Sequence, residues 1–150
     1  MTTTNEARTA IIERFIANYV PVAFSDVPSG ERRARFSFDN EERDAGDSVA
    51  PASESYCRLT ILETDSRQET LGPPGARRFR RQGAARLALY CPSNNGTLKS
   101  DAMVKTFRDV FEGVSFSGVY FTDCQVTDLG VEGASWRVDA LASFWHEEVK

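Results

Sequence analysis

An α+β fold is what this sequence of 150 residues predicts: a mainly antiparallel or mixed sheet of about four to five strands, two α-helices on one face, and a long acidic arm. Three observations carry the prediction. Two stretches, 3–19 and 97–112, repeat apolar residues at the spacing of one helical face. Four others alternate apolar and polar positions in the manner of half-buried strands. Between 26 and 55 neither period is sustained, and Ser, Gly, Pro, Asp and Glu dominate.

Taken in order, the first helix starts at Thr3, where Thr3-x-x-Glu6 makes a capping box, and ends near Tyr19 ahead of Pro21. Its apolar stripe is Ala7, Ile11, Ile12, Phe15, Ile16 and Tyr19. Val22-Ala23-Phe24 is long enough only for a brief strand before Asp26, Pro28 and Gly30 turn the chain. The arm that follows holds eight acids against four arginines, a local charge of −4 equal to that of the whole chain. Within it, Arg35-Phe36-Ser37-Phe38 alternates like a short strand, in an extended arm or a hairpin. Tyr56 to Glu63 and Phe79 to Tyr90 then read as a hairpin of two strands, the second with Ala85, Leu87 and Leu89 inward. Leu71-Gly72-Pro73-Pro74-Gly75 forms its irregular tip, because the prolines lack donors and the glycines favour unusual φ. Cys91-Pro92 stops the strand, Thr97 caps a second helix with Met103, Phe107, Val110 and Phe111 on its buried side, and Gly113 ends it. Val119–Leu129 and Ser135–Glu147 close the chain as an antiparallel pair in which Trp136, Val138, Ala140, Ala142 and Phe144 share a face.

The length suits one domain, 1–150, with the arm at about 26–55 inside it. With 41% hydrophobic and 27% charged residues the chain has the composition of a globular cytosolic protein. No apolar run approaches a membrane span, and the N-terminus lacks the pattern of a secretory signal. A net charge of −4 and a pI near 5.1 argue against gripping phosphate backbones as the main task. Cys57, Cys91 and Cys124 are odd in number, far apart and without a Cys-x-x-Cys pair, so they read as small buried hydrophobes.

Chemistry is hard to nominate. His146 is the only imidazole, has no second one to complete a metal site, and stands beside Glu147 and Glu148 as an exposed strand-end residue. No Gly-flanked nucleophile, phosphate loop or carboxylate pair is marked. Hence no catalytic, metal or cofactor-binding residue is assigned, no cofactor is expected, and the chain is not read as an enzyme. The arginines are different. Arg77, Arg78, Arg80, Arg81 and Arg86 place five rigid donor forks in ten residues with no acid among them, suited to docking on carboxylates or phosphates. The acids Asp39, Glu41, Glu42, Asp44 and Asp47 of the arm supply the complement, so that the two patches would meet between neighbours in a self-assembled ring.

The order of parts, with PVAFSDVP, SYCRLTILE, RQETLG, RFRRQGAARLALYCPSNNG, FRDVFEG and the closing GASWRVDALASFWHEE, resembles the tail-terminator proteins of long-tailed bacteriophages and prophage-like particles. The likeness spans nearly the whole chain and rests on pattern, not on a catalytic signature. It implies a small α+β virion subunit, assembled in the host cytoplasm, that forms a homo-oligomeric ring, a hexamer by expectation, in the neck region. Its partners would be the tail-tube protein and the head-tail connector or head-closure protein. The ring would stop tube polymerisation and let DNA pass its lumen without specific binding. The acidic arm would line that lumen or clasp a neighbour, and no membrane is involved. A head-closure or tail-tube subunit is the alternative within the same particle. A small cytosolic ligand-binding domain or enzyme is the alternative of another class.

Overall fold

The first helix begins where its capping box places it. In the computed structural model, which describes residues 2–39, 54–93, 96–133 and 135–150, α1 spans Thr4–Arg14. The Glu6 carboxylate accepts from the Thr3 backbone N–H at 2.7 Å, and Thr3 Oγ1 accepts from the Glu6 N–H at 3.3 Å. The bond from the Thr3 backbone N–H, and after it the one the Thr3 hydroxyl donates to the same carboxylate at 2.9 Å, hold the Glu6 carboxyl below its ordinary pKa.

The helix does not end at Tyr19. It widens into a π-helical turn, Phe15–Tyr19, and resumes as α2, Val20–Ala23, so Val22 and Ala23 are helical, Phe24 caps the helix, and no strand forms there. The cause is Pro21, which has no N–H to give and whose ring would strike the carbonyl four residues back in a regular helix. The wider turn, closed by the Val20 N–H on the Phe15 carbonyl, accommodates it. It also stacks Phe15 on Tyr19 with ring centroids 4.8 Å apart, and leaves Ile16, expected in the buried stripe, 44% exposed.

A 3-10 segment, Ser29–Arg35, leads into β1, Phe36–Phe38. Strands β2, Tyr56–Gln68, and β3, Arg78–Pro92, form the expected hairpin; both run further than predicted, and β3 ends at Pro92, in the Cys91-Pro92 stop. Helix α3, Leu98–Phe111, follows. Thr97 sits at its N-cap without a side-chain capping bond, while the Ser100 hydroxyl donates to the Thr97 carbonyl at 2.9 Å. Then come β4, Ser115–Phe116, β5, Val119–Glu132, and β6, Ser135–Val149.

Among the described residues the sheet has six strands, ordered β1-β2-β3-β6-β5-β4, in place of the four to five expected. It is mixed: β1 lies parallel to β2, and every other pairing is antiparallel. The edge strand β1 falls where Arg35–Phe38 alternates, while the other edge strand, β4, has two residues and is too short to display a period of two. The β4–β5 turn is Ser117-Gly118, both with positive φ (49° and 78°), the conformation of a tight two-residue hairpin.

The core draws on one face of the sheet. Ile11, Phe15 and Tyr19, with Met103, Phe107 and Phe111 of α3, pack on the inward side chains of β2, β3, β5 and β6. Along β6 the alternation is plain, with Val138, Ala140, Ala142, Phe144 and His146 buried and the residues between them half-buried. His146, expected at an exposed strand end, therefore lies inside the protein at 2% exposure.

Two predictions arise from this core. The Tyr19 hydroxyl is fully buried without a hydrogen-bond partner among the described residues, and burial drives its pKa up. Tyr19→Phe should leave stability unchanged or raise it by up to ~2 kcal/mol in urea denaturation, since an unsatisfied buried polar group costs about that much. A loss above ~1 kcal/mol would mean the hydroxyl has a partner. The three cysteines are free and buried, and burial raises the pKa of each thiol. Only the thiolate attacks a disulfide reagent, so the native protein should resist Ellman's reagent at pH 8 and release three equivalents once unfolded. Because the folded thiols hold their protons more tightly than the unfolded chain does, their stabilising term is complete below about pH 8.5 and is lost as pH rises above it. Rapid labelling of the native protein would contradict this.

Candidate docking surface

Strand β3 carries four of the five predicted arginines, with Arg77 just before it, and its register decides what those residues do. Strand alternation splits the five. Arg78, Arg80 and Arg86 share the face away from the helices, while Arg81 follows the parity of His146, its partner across the strands. Each side chain except that of Arg78 is engaged within the chain. Arg77 Nε donates to the Gly72 carbonyl at 2.7 Å, and its backbone exchanges two hydrogen bonds with Lys150. Arg80 lies over the Trp145 ring at 4.4 Å and within 3.9 Å of both Glu69 and Glu147. Arg81 pairs with Glu148 at 2.6 Å and reaches Glu63 at 3.8 Å. Arg86 turns Nε and Nη2 onto one oxygen of Asp139, at 3.1 and 2.6 Å. The acid-free cluster of the sequence is thus an ion-pair ladder whose acids come mainly from β6. These pairs are partly exposed, so they contribute little each to stability. What they do is hold the guanidinium planes in place.

Beyond the ladder the hairpin tip is ordered by its own hydrogen bonds. The Gln68 amide donates to the Thr70 carbonyl at 2.9 Å, the Arg78 N–H to Thr70 Oγ1 at 2.9 Å, the Glu69 N–H to the Arg78 carbonyl at 2.8 Å, and the Ala76 N–H to the Pro73 carbonyl at 3.1 Å. This loop presents Leu71 at 96% exposure beside Pro73 and Pro74, which are also exposed.

Of the predicted acidic residues, Asp39 is bound to the sheet edge, accepting from Arg58 Nη2 at 2.9 Å and from Thr60 Oγ1 at 3.0 Å. Glu41, Glu42, Asp44 and Asp47 lie outside the described residues. On the helical side, Asp26 pairs with Lys99 at 2.9 Å, and that hydrogen bond lowers its pKa.

One feature was missed by sequence reasoning. On the face away from the helices, Trp145 stacks on Tyr120 with centroids 4.3 Å apart and planes inclined by 16°, while Arg80 also lies over the Trp145 ring. Tyr120 remains 42% exposed. The signal was present, because Trp145 is out of phase with the inward set Val138 to Phe144.

Among the described residues no group of three or more His, Cys, Asp or Glu side chains is placed to hold a metal ion, and no helix is long and apolar enough to cross a membrane. No family model matches the chain, and no curated protein matches its sequence. Among solved structures, 15 chains match it. One of these, whose name carries no functional description, aligns over 95% of this chain and 96% of its own with a TM-score of 0.61 and 13% identity. At that identity the likeness is one of fold alone.

Proposed function

We propose that this chain is a tail-terminator subunit: a virion protein that forms a ring, hexameric by expectation, at the head-proximal end of a phage tail tube. There it stops tube growth and offers a surface to the head connector or head-closure protein. The observation that supports this most is the β2–β3 hairpin. Its outer half runs beyond the core and ends in an internally bonded, apolar tip braced by the arginine ladder. A pre-ordered tip of this kind loses little conformational freedom on docking. Two of the segments that carry the family resemblance, RFRRQGAARLALYCPSNNG and GASWRVDALASFWHEE, supply the central strands β3 and β6, which hold it. In this reading the ring encloses a lumen through which DNA passes without specific binding.

The head-closure or tube-subunit reading gains one observation, since six strands exceed the count expected of a terminator. One experiment separates the two. Electron microscopy of particles made without this protein should show overlong, headless tails if it is the terminator and no tails if it builds the tube. Tails of normal length would exclude the terminator and the tube subunit and leave the head-closure reading.

The ladder also sharpens the assembly prediction. Arg78 is the one predicted arginine whose guanidinium is exposed and unpartnered among the described residues, so Arg78→Glu should lower the assembled fraction in light scattering, increasingly as salt is reduced. Unchanged mass across salt concentrations would remove Arg78 from the interface.

A further inference from the structure

Each outer edge of the sheet is capped along part of its length only. Strand β1 pairs with β2 from Cys57 to Leu59, and among the described residues no strand pairs with that edge over 61–68. On the other side, β4 pairs with Val119 and Tyr120, and main-chain bonds from Phe121 to Val114 and from Gly113 to Thr122 extend the cover. Beyond Thr122, over 123–131, no described strand pairs with the outer edge of β5. An open edge is a row of unpaired main-chain donors and acceptors, a template for another strand. Lysine and proline are the usual guards of such an edge, and neither stretch holds one. Bulges twist both, yet Leu62 on one and Leu129 and Val131 on the other stay 42%, 48% and 65% exposed.

We infer that the free edge of β5 in one subunit pairs antiparallel with the free edge of β2 in a second copy of this chain, so that the sheet runs on from subunit to subunit. The inference rests on the ring reading and names the joint that closes the ring. Strand direction fits a second copy. Each ladder from β2 through β3 and β6 to β5 is antiparallel, so β5 runs opposite to β2. Copies related by rotation about one axis bring these two edges together with the alternation intact, in a head-to-tail contact. The stagger fits as well. Followed through the ladders, Thr127, the middle of 123–131, is level with Asp139, Ala88 and Arg58. The middle of 61–68 lies between Thr64 and Asp65, past one bulge, and so about five to six rungs further on, ~18 Å at ~3.3 Å per residue. For the two stretches to lie side by side, each copy steps ~18 Å along its strands for every four strands, ~19 Å, of width. That step tilts the strands by ~43° to the ring axis, within the roughly 35–45° at which sheets close on themselves. Strands β1 and β4 then act as the stops that set the step. Charge does not select this partner, since 61–68, with Glu63, Asp65 and Arg67, and 123–131, with Asp123 and Asp128, are both slightly acidic. Main-chain hydrogen bonds carry the joint.

The test combines mass against concentration with amide hydrogen exchange on the full chain. Wild type should form a species larger than a dimer. In it, peptides covering 61–68 and 123–131 should exchange more slowly than in the diluted monomer, while Phe36–Phe38 and Ser115–Phe116, already paired within the chain, should not change. Thr127→Pro removes a donor from the free edge and blocks the approach of a strand, and should weaken association by at least ~5-fold. If that variant melts below wild type, Leu129→Lys, which puts a guard at an exposed position of the same edge, decides in its place and should weaken association as well. A ring in which either stretch exchanges as fast as in the monomer, or whose association is unmoved by the folded variant, overturns the inference and leaves the ring reading standing. A wild type that stops at a dimer overturns the head-to-tail joint, and one that stays monomeric even with tail tubes present overturns both.

Discussion

Gly83→Ala is expected to lower stability by about 3 kcal/mol, seen as a reduced urea midpoint with an unchanged slope. The reason is space and not backbone freedom. Gly83 lies in β3 between Glu63 of β2 and Phe144 of β6. A Cβ built there would stand 2.4 Å from the Leu62 carbonyl oxygen and 2.6 Å from Phe144 Cζ, where ordinary contacts begin beyond 3.4 Å. A phenylalanine ring can tilt aside. The carbonyl cannot, because Leu62 is held in the β2–β3 ladder next to the bulge between Glu63 and Asp65. The double variant Gly83→Ala/Phe144→Leu should therefore recover only part of the loss. If Gly83→Ala melts within ~0.5 kcal/mol of wild type, the strand has room that this packing denies.

How much of this was legible in the sequence depends on the length of each element. The paired strands β2 with β3 and β5 with β6 were readable because many residues repeat one period, and β6 shows its inward set without interruption. Phe36–Phe38 showed its alternation with Arg35, but Ser115–Phe116 was not legible, since two residues carry no period and are held by pairing with a longer neighbour. Pro21 was read as a helix end, the usual outcome, but burial of Phe15 and Tyr19 against Phe107 and the sheet favoured widening the turn over ending the helix. The arginine cluster shows a different limit. Composition revealed five neighbouring arginines, but their partners arrive from far along the chain: Glu148 is 67 residues from Arg81, and Asp139 is 53 from Arg86. Adjacency in a strand also means opposite faces, so five consecutive-looking charges never formed one patch. The Trp145–Tyr120 stack needed the β5–β6 register, which the bulges between Phe121 and Cys124 and between Asp128 and Gly130 shift.

His146 shows how parity could have outweighed its acidic neighbours, and its replacement is the second large effect expected. The inward positions of β6 run 138, 140, 142, 144 and 146, so the imidazole is the last member of the buried row. Its Nδ1 lies 3.0 Å from the Thr2 carbonyl oxygen. A carbonyl can only accept, so Nδ1 carries the proton. Thr2 is fixed twice more: its N–H donates to the Glu147 carbonyl at 3.1 Å, and its hydroxyl donates to the Ser117 carbonyl at 2.9 Å. The chain is thereby clamped between β6 and the β4–β5 turn one residue before the capping box that starts α1, which sets where the helix meets the sheet. His146→Ala removes a buried ring and the donor together and should cost about 3 kcal/mol in urea denaturation. His146→Phe refills most of the volume yet leaves the Thr2 carbonyl without its donor, so about 1–2 kcal/mol of that loss should remain. In both variants the Thr2 amide should exchange with deuterium faster than in wild type, while the amides of β3 at Leu87 and Leu89 keep their protection relative to global stability. If His146→Phe matches wild type in stability and in Thr2 exchange, the imidazole is only a space-filler and the clamp is held by Glu147 and Ser117 alone.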